Sequence, residues 1–263
     1  MHDNQTWPTY LINVPGNSTR YSSSVFQLDN SNIHYTLLKA VNGLTLSQDE
    51  IRTVYSSSLN RRHYKAPLTP QEIGCYLSHR KAWHMLLSSE FDYALVLEDD
   101  FLILKPNILK KVVDSLSPLT TNIQWDIVKL FLLKEPKSCI VVKVDSSFSI
   151  IQTMKVPTCM TAYLVSREGA RKLLNSRSKF FRPVDEDVKY YWEHGINVYS
   201  VKPALVGIGE QHAELGTVGV ARRESKKSFG STRKLLIQLN YQLIVRLLWT
   251  YRRIKSFCPF IYK

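Results

Sequence analysis

The feature that most constrains this chain is the switch at residues 93–100. Tyr93-Ala94-Leu95-Val96-Leu97 is a continuous apolar run with no helical period, and it stops abruptly at Glu98-Asp99-Asp100. Such a run reads as a strand covered on both faces, which calls for a sheet layered between helices. Three adjacent carboxylates at its carboxyl end repel one another unless something cationic holds them. Ligands gather outside the carboxyl ends of strands in sheets of this kind, so the acids stand where a site is expected. A divalent cation is the simplest partner. Mg²⁺ and Mn²⁺ take carboxylate oxygens, usually one or two from protein, and keep positions for water and substrate phosphate. Acids that merely finish a charged turn are the alternative, and the sharpness of the switch counts against it.

The rest of the chain alternates strand and helix signals. Thr9 to Val14 reads as a buried first strand, followed by the turn-rich loop PGNSTRYSSS against which a ligand could sit. Residues 41–68 are polar and weakly periodic, and read as a short helix plus loop. Thr69-Pro70-Gln71-Glu72 is a capping box with proline at the first helical position, and it predicts a helix from Pro70 to about Leu87. Trp125 to Leu132 and Cys159 to Val165 are strand candidates, and Ser166 caps a helix after the second. Pro183 opens a helix through VDEDVKYYWEH that Gly195 closes, and INVYSV and ALVGI add extended runs. The expectation is one α/β domain over residues 1–221 with a mainly parallel sheet.

Charge divides the chain differently. The net charge is +13, but residues 222–263 hold eleven Lys and Arg against the single acid Glu224, leaving +3 for the first 221 residues. A near-neutral body with a basic tail fits a domain carrying an attachment segment, not a surface that grips a polyanion, and no nucleic-acid partner is expected. Within the tail, Leu236, Leu239, Leu243, Leu247 and Ile254 recur near helical spacing, with Gln238, Gln242, Arg246 and Arg253 towards the other side. The longest uncharged run is too short to span a bilayer, so the tail is expected to lie in the plane of an anionic membrane surface. A helix packed onto the domain is the alternative. Cys75, Cys139, Cys159 and Cys258 show no metal-finger spacing and read as reduced thiols; with a polar N-terminus, they predict a cytosolic chain.

The stretches LTPQEIGCYLSHRKAW (68–83) and YALVLEDD (93–100), followed by CMTAYLVSREGARKLL and PVDED, resemble glycosyltransferase family 25. That family includes bacterial lipooligosaccharide galactosyl- and glucosyltransferases and the procollagen galactosyltransferases. The resemblance runs from the first strand to about Arg223. It implies a GT-A-like (Rossmann-like) fold, a UDP-galactose or UDP-glucose donor, Mn²⁺ or Mg²⁺, and inversion at the anomeric carbon. By resemblance Asp100, supported by Glu98 or Asp99, contacts the ion that bridges the two phosphates. Departure of UDP develops negative charge that a bound metal would offset as a Lewis acid.

Inversion also needs a carboxylate on the acceptor side to take a proton from the attacking hydroxyl. Asp185-Glu186-Asp187 opens a helix, whose dipole favours the ionised form. The resemblance places a PVD block here, which makes Asp185 the first candidate base; Glu186-Asp187 also fits the x-E-D pattern found at the base position in GT-A enzymes, which makes Asp187 its rival. Simple helix capping is the alternative for all three. Asn13 and Arg20 flank the first strand and its loop and are candidates for the nucleotide, Arg20 for a phosphate. Ser78 and His79 of the LSH block are candidates to line the donor site, a satisfied structural histidine being the alternative. His212 is a candidate metal ligand from the C-terminal side.

The combined expectation is an inverting transferase that moves a hexose, galactose ahead of glucose, from UDP to a sugar hydroxyl of lipooligosaccharide or lipopolysaccharide core. It would sit on the cytoplasmic face of a bacterial inner membrane, with the UDP-sugar donor, the lipooligosaccharide acceptor and the anionic membrane surface as partners. A signal peptide and second domain are not evident, which weighs against the collagen-modifying branch. The rivals are a metal-dependent nucleotidyl- or phosphoryl-transferase using the same acids, and a non-catalytic basic protein that binds membrane or nucleic acid.

Overall fold

The computed structural model describes residues 6–16, 18–116, 123–144, 147–209, 222, 225 and 230–257. Its strands in chain order are β1 (Thr9–Asn13), β2 (Thr36–Lys39), β3 (Tyr93–Glu98), β4 (Phe101–Ile103), β5 (Ile127–Lys129), β6 (Cys139–Val144), β7 (Ser149–Thr153), β8 (Ala162–Ser166), β9 (Val198–Lys202) and β10 (Val206–Ile208). The helices are α1 (Ser18–Asn30), α2 (Gln48–Val54), α3 (Ser57–His63), α4 (Pro70–Leu87), α5 (Pro106–Ser115), α6 (Arg167–Asn175), α7 (Val184–Val188), α8 (Tyr191–His194) and α9 (Ser231–Phe257). Eight strands form one sheet in the order β2-β1-β3-β8-β5-β9-β7-β6, and β10 pairs with β4 beside it.

The apolar run that ends in acids is the central strand β3, and its alternate residues feed two cores. Ala94 and Val96 join a core with Tyr76, Trp83 and Leu86 of α4 and Leu173 of α6. Tyr93, Leu95 and Leu97 join a second core with Leu109, Val112 and Val113 of α5 and Leu28 of α1. The sheet is mixed. Following the pairings across it, six strands point one way, while β8 and β7 run against their neighbours. The short antiparallel insertion of β8 between β3 and β5 is a tertiary choice that no single segment announces.

Local chemistry explains most boundaries. Thr69 Oγ1 accepts from the Glu72 amide and Glu72 returns a bond to the Thr69 amide, so the capping box starts α4. Ser166 Oγ likewise accepts from Gly169 N and starts α6. The loop expected after β1 is instead α1, because Arg20, Ser24 and Leu28, at helical spacing of four, form its inward face. Residues 41–68 hold a short 3-10 turn at Gly43–Thr45 and the helices α2 and α3, capped by Ser47 and Ser56. The helix expected after Pro183 is broken into α7 and α8, and Gly195 closes it at φ 65°.

Helix α4 crosses the 3-10 turn at two glycines. A Cβ on Gly43 would lie 1.7 Å from the Pro70 carbonyl oxygen, and one on Gly74 would lie 2.4 Å from that of Val41. Only glycine at both positions permits the approach. Ser78 completes the crossing by accepting from Val41 N and donating to the Gly74 carbonyl, both at 2.8 Å. This crossing fixes the face of α4 that carries Cys75 and His79 towards the end of β3.

Helix α9 has two apolar faces. Tyr241, Val245 and Trp249 are buried, with the Tyr241 ring 5.1 Å from Tyr190 and 5.8 Å from Trp192, and the Arg252 guanidinium 4.3 Å from the Tyr191 ring. On the other side Leu236, Leu239, Leu243, Leu247 and Ile254 are each 55–62% exposed. Among the described residues no helix is long and apolar enough to cross a membrane.

Candidate active site

The three acids after the apolar run have three different environments. Asp99 is buried and saturated: Oδ2 accepts from Asn13 Nδ2 at 2.8 Å and from Val14 N at 3.3 Å, and Oδ1 from Arg20 Nη1 at 3.1 Å. Ser24 Oγ donates to the Asp99 carbonyl at 3.2 Å. Burial pushes this carboxyl up, against the pull of Arg20 and the Val14 amide. Asn13 and Arg20, candidates for the nucleotide from sequence, are thus brought to the acid cluster, with their polar groups on Asp99.

Glu98 ends a buried relay. Trp83 Nε1, which can only donate, bonds to the Tyr163 hydroxyl at 3.0 Å; that hydroxyl lies 2.9 Å from His79 Nδ1, and His79 Nε2 lies 2.9 Å from Glu98 Oε1. A bare Nε2 lone pair would face the carboxylate lone pair, so the proton belongs on Nε2 and the Tyr163 hydroxyl donates to Nδ1. Cys75 Sγ approaches the same Glu98 oxygen at 3.7 Å, and Thr161 Oγ1 lies 3.5 Å from Oε2. Cys75, His79 and Glu98 offer donor atoms within 4.8 Å of one another, a set that would suit zinc. The tautomer above makes His79 a donor to Glu98 instead of a ligand.

Asp100 is 6% exposed, and its carbonyl accepts from Gly209 N at 2.9 Å. With Glu98 it supplies carboxylate oxygens, the donors that Mg²⁺ or Mn²⁺ prefers, so these residues fit a hard cation. His212 lies outside the described residues. Sequence-distant acids meet the cluster here: burial, then Glu98, Asp185 and Asp100, push the Cys75 thiol up.

Asp185 opens α7 beside an unusual loop. Cys159 has φ 70°, a left-handed conformation that costs on the order of 1–3 kcal/mol for such a residue. Its amide donates to the Asp185 carboxylate, and its carbonyl accepts from Lys129 Nζ at 2.6 Å; Lys129 also donates to the Pro157 carbonyl at 2.5 Å. Burial pulls the Lys129 ammonium down to about 8 while Asp185 opposes that pull. Burial and the neighbouring Glu186 push the Asp185 carboxyl up, against Lys129 and the Cys159 and Glu186 amides. Lys129 was missed from sequence, although a lone lysine inside the apolar WDIVKLFL stretch was a signal that something buried must answer it.

Asp187, two residues further on, is fully buried. Tyr76 donates to it at 2.8 Å, Arg182 Nη1 at 3.1 Å and Arg177 Nε at 3.2 Å, and His194 Nε2 lies 3.5 Å away. Burial alone would raise this carboxyl, but His194, Arg177 and Arg182 outweigh it and hold the group well below the usual carboxylate range. Glu193 completes the network through both arginines. Glu186 is half-buried and bonded to Lys189 at 2.9 Å. From the tail side, Arg222 bonds both oxygens of Glu72 and the Pro67 carbonyl, reinforcing the α4 capping box.

The α/β sheet thus carries clustered carboxylates at the end of a central strand, and Asp185 from a separate helix acts on the same Cys75 thiol as they do. The chain belongs to glycosyltransferase family 25: the family model described as glycosyltransferase family 25 (LPS biosynthesis protein) matches residues 6–188. It is similar to human procollagen galactosyltransferase 2, with 25% identity over 225 residues that cover 75% of this chain and 34% of that protein. A glycosyltransferase 25 family member of Aedes aegypti is 27% identical over 184 residues, covering 67% of this chain and 29% of the other. Procollagen galactosyltransferase 1-A of Xenopus laevis is 29% identical over 207 residues, covering 73% and 32%. This chain spans about a third of the length of these curated relatives. Among solved structures it is similar to A197 from STIV, at 13% identity and a TM-score of 0.36, covering 74% of this chain and 81% of that one.

The Asp187 network sets a stability test. Its folded pKa lies below the unfolded value of about 3.9, so its contribution is fully present above that value and is lost as pH falls through the folded one. Asp187→Asn should destabilise by about 3–5 kcal/mol near neutral pH, because two buried guanidiniums lose a counter-charge. Denaturant unfolding across pH should show that gap shrinking below about pH 4. A gap independent of pH would overturn the assignment.

Proposed function

We propose that this chain is an inverting glycosyltransferase that moves a hexose from a UDP-sugar to a sugar hydroxyl of lipooligosaccharide or lipopolysaccharide core. The observation that carries this reading is the convergence of Glu98 and Asp100, at the end of β3, with Asp185 from α7 around Cys75, Glu98 and Asp185 also acting on Lys129. One side offers hard oxygen donors for Mn²⁺ or Mg²⁺, which when bound would offset charge on a departing UDP. The other offers a carboxylate positioned by two amides and raised towards neutral pH, as a general base requires. Asp185 suits the role better than Asp187, whose oxygens are already held by Tyr76 and two arginines. The family description supports a lipopolysaccharide acceptor, and the procollagen galactosyltransferases among the relatives support galactose as the sugar.

In this reading residues 1–221 form the catalytic domain and residues 222–263 hold it on the cytoplasmic face of an anionic bacterial inner membrane. The support is the outward stripe of Leu236, Leu239, Leu243, Leu247 and Ile254 on α9, flanked by the exposed Arg246 and Arg253, while the other face of the helix is occupied by the domain.

With Mn²⁺ or Mg²⁺, the protein should release UDP from UDP-galactose in the presence of a core-oligosaccharide acceptor, and NMR should show inverted anomeric configuration. Asp185→Asn should keep UDP binding and lose turnover by about 10²–10⁴-fold. The wild-type rate should fall on the acid side as the raised Asp185 carboxyl takes a proton. An active Asp185→Asn enzyme would remove Asp185 from the base role.

Attachment has its own test. Replacing Leu236, Leu239, Leu243 and Leu247 by Gln should abolish sedimentation with anionic vesicles and leave the unfolding midpoint within a few degrees of wild type. Salt should weaken wild-type binding as the Debye length falls from about 10 Å at 0.1 M to about 3 Å at 1 M. Undiminished vesicle binding by the Gln variant would contradict the reading.

A further inference from the structure

Lys129 is 1% exposed at the end of β5, which lies between β8 and β9. An ammonium so placed has left its hydration behind and stays charged only where the protein supplies other partners. One loop supplies them. The connection over residues 154–161, between β7 and β8, turns its Pro157 and Cys159 carbonyls onto Nζ, at 2.5 and 2.6 Å. Burial pulls this ammonium down, and the charged or titratable groups that act on it are Asp185 of α7, Cys159 of the loop, Lys189 just after α7 and Glu98 of β3.

The loop is pinned on both sides of that grip. Val156 and Met160 are buried in the same core as Trp83 and Val96. Between them Cys159 sits at φ 70°, where a residue with a Cβ is crowded. Such a conformation persists only where its surroundings over-determine it, and the two bonds from Lys129, on either side of Thr158, do so. The result is directional: Cys159 gives its carbonyl to Lys129 and its amide to the Asp185 carboxylate. The Glu186 amide also reaches Asp185, at 2.8 Å, but it belongs to the same helix. The Cys159 amide ties the carboxylate to a different segment.

We propose that Lys129 is a positioning residue for the transfer reaction: by holding the Pro157 and Cys159 carbonyls it keeps Cys159 left-handed, and so keeps the Cys159 amide on Asp185 and fixes the orientation of that carboxylate. The inference rests on the reading of Asp185 as the acceptor-side base. It assigns a task to the one charged residue of β5, a strand whose other members are apolar.

The first test needs no substrate and uses the full chain. In proton–nitrogen NMR spectra across pH, the amide of residue 159 should shift with the ionisation of Asp185, which is followed by carbon NMR at its own carboxyl. In Lys129→Met that amide should cease to follow Asp185. Asp185 should also titrate at higher pH, because the ammonium and the amide that pull it down are both lost. In transfer assays Lys129→Met should lower kcat on the order of 10²-fold and leave the donor KM within about twofold. Adding Cys159→Gly, which adopts the left-handed conformation without strain, should restore the amide response and raise kcat about tenfold over Lys129→Met alone. Lys129→Gln, a shorter donor, should fall between wild type and Lys129→Met, and carries the comparison if the Met variant does not fold.

A residue-159 amide that ignores Asp185 in the wild type, or follows it unchanged in Lys129→Met or Lys129→Gln, would overturn the proposal. So would failure of Cys159→Gly to restore the rate, the outcome expected if Lys129 acted through its charge alone. If neither Lys129 variant folds, the residue is a requirement of folding and the positioning role is withdrawn. An active Asp185→Asn enzyme would instead remove the base reading, while loss of the amide response in Lys129→Met would still assign Lys129 its hold on the loop.

Discussion

The acid end of β3 depends on the buried carboxylate of Asp99. It ties the end of β1, through Asn13 and Val14, to the first turn of α1, through Arg20, at the point where β3 stops. Its loss would take away the carboxylate to which the buried Arg20 donates, and breaking a buried pair of this kind costs on the order of 3–5 kcal/mol. Asp99 directs both carboxylate oxygens inward, to Asn13, Val14 and Arg20. Glu98 is steadied from behind by His79, Tyr163 and Trp83. Two of the three adjacent acids thus have separate partners, Asp99 on β1 and α1 and Glu98 on α4.

The same logic separates Asp185 from Asp187. Both open α7, and a helix dipole treats them alike. Their surroundings do not: Asp187 is held by His194, Arg177 and Arg182 and driven down in spite of its burial, whereas Asp185 is driven up by burial and then by Glu186 beside it. Environments that push two carboxylates in opposite directions are the pattern by which active sites divide acid from base, and this is why Asp185, not Asp187, is the proposed base. Lys129 lies between the two sets of acids, since its ammonium donates to the 157–159 loop, whose Cys159 amide bonds Asp185, and also feels Glu98.

What the sequence made legible was local. The apolar-to-acid switch placed β3 and its acids, and the hydroxyl caps at Thr69 and Ser166 placed α4 and α6, because each signal lies within a few residues. Helix α1 was hidden because its inward face is Arg20 and Ser24, polar residues whose partner Asp99 lies 75 to 79 positions away. The hairpin of β6 and β7 and the reversed direction of β8 were hidden for a related reason, since strand direction is decided by neighbours and not by composition. The leucines of α9 were visible as a stripe, but the second apolar face of Tyr241, Val245 and Trp249 gave the helix a place on the domain as well.

In the proposed function Asp100 and Glu98 receive the cation while Asp99 and the Cys75–His79 pair hold them in place. Anomalous diffraction from crystals grown with UDP and Mn²⁺ tests this directly, because the metal reports its own position. A single peak is expected within coordinating distance of an Asp100 carboxylate oxygen, with His79 Nε2 still on Glu98. A peak bonded to Cys75 and His79 and remote from Asp100 would contradict it.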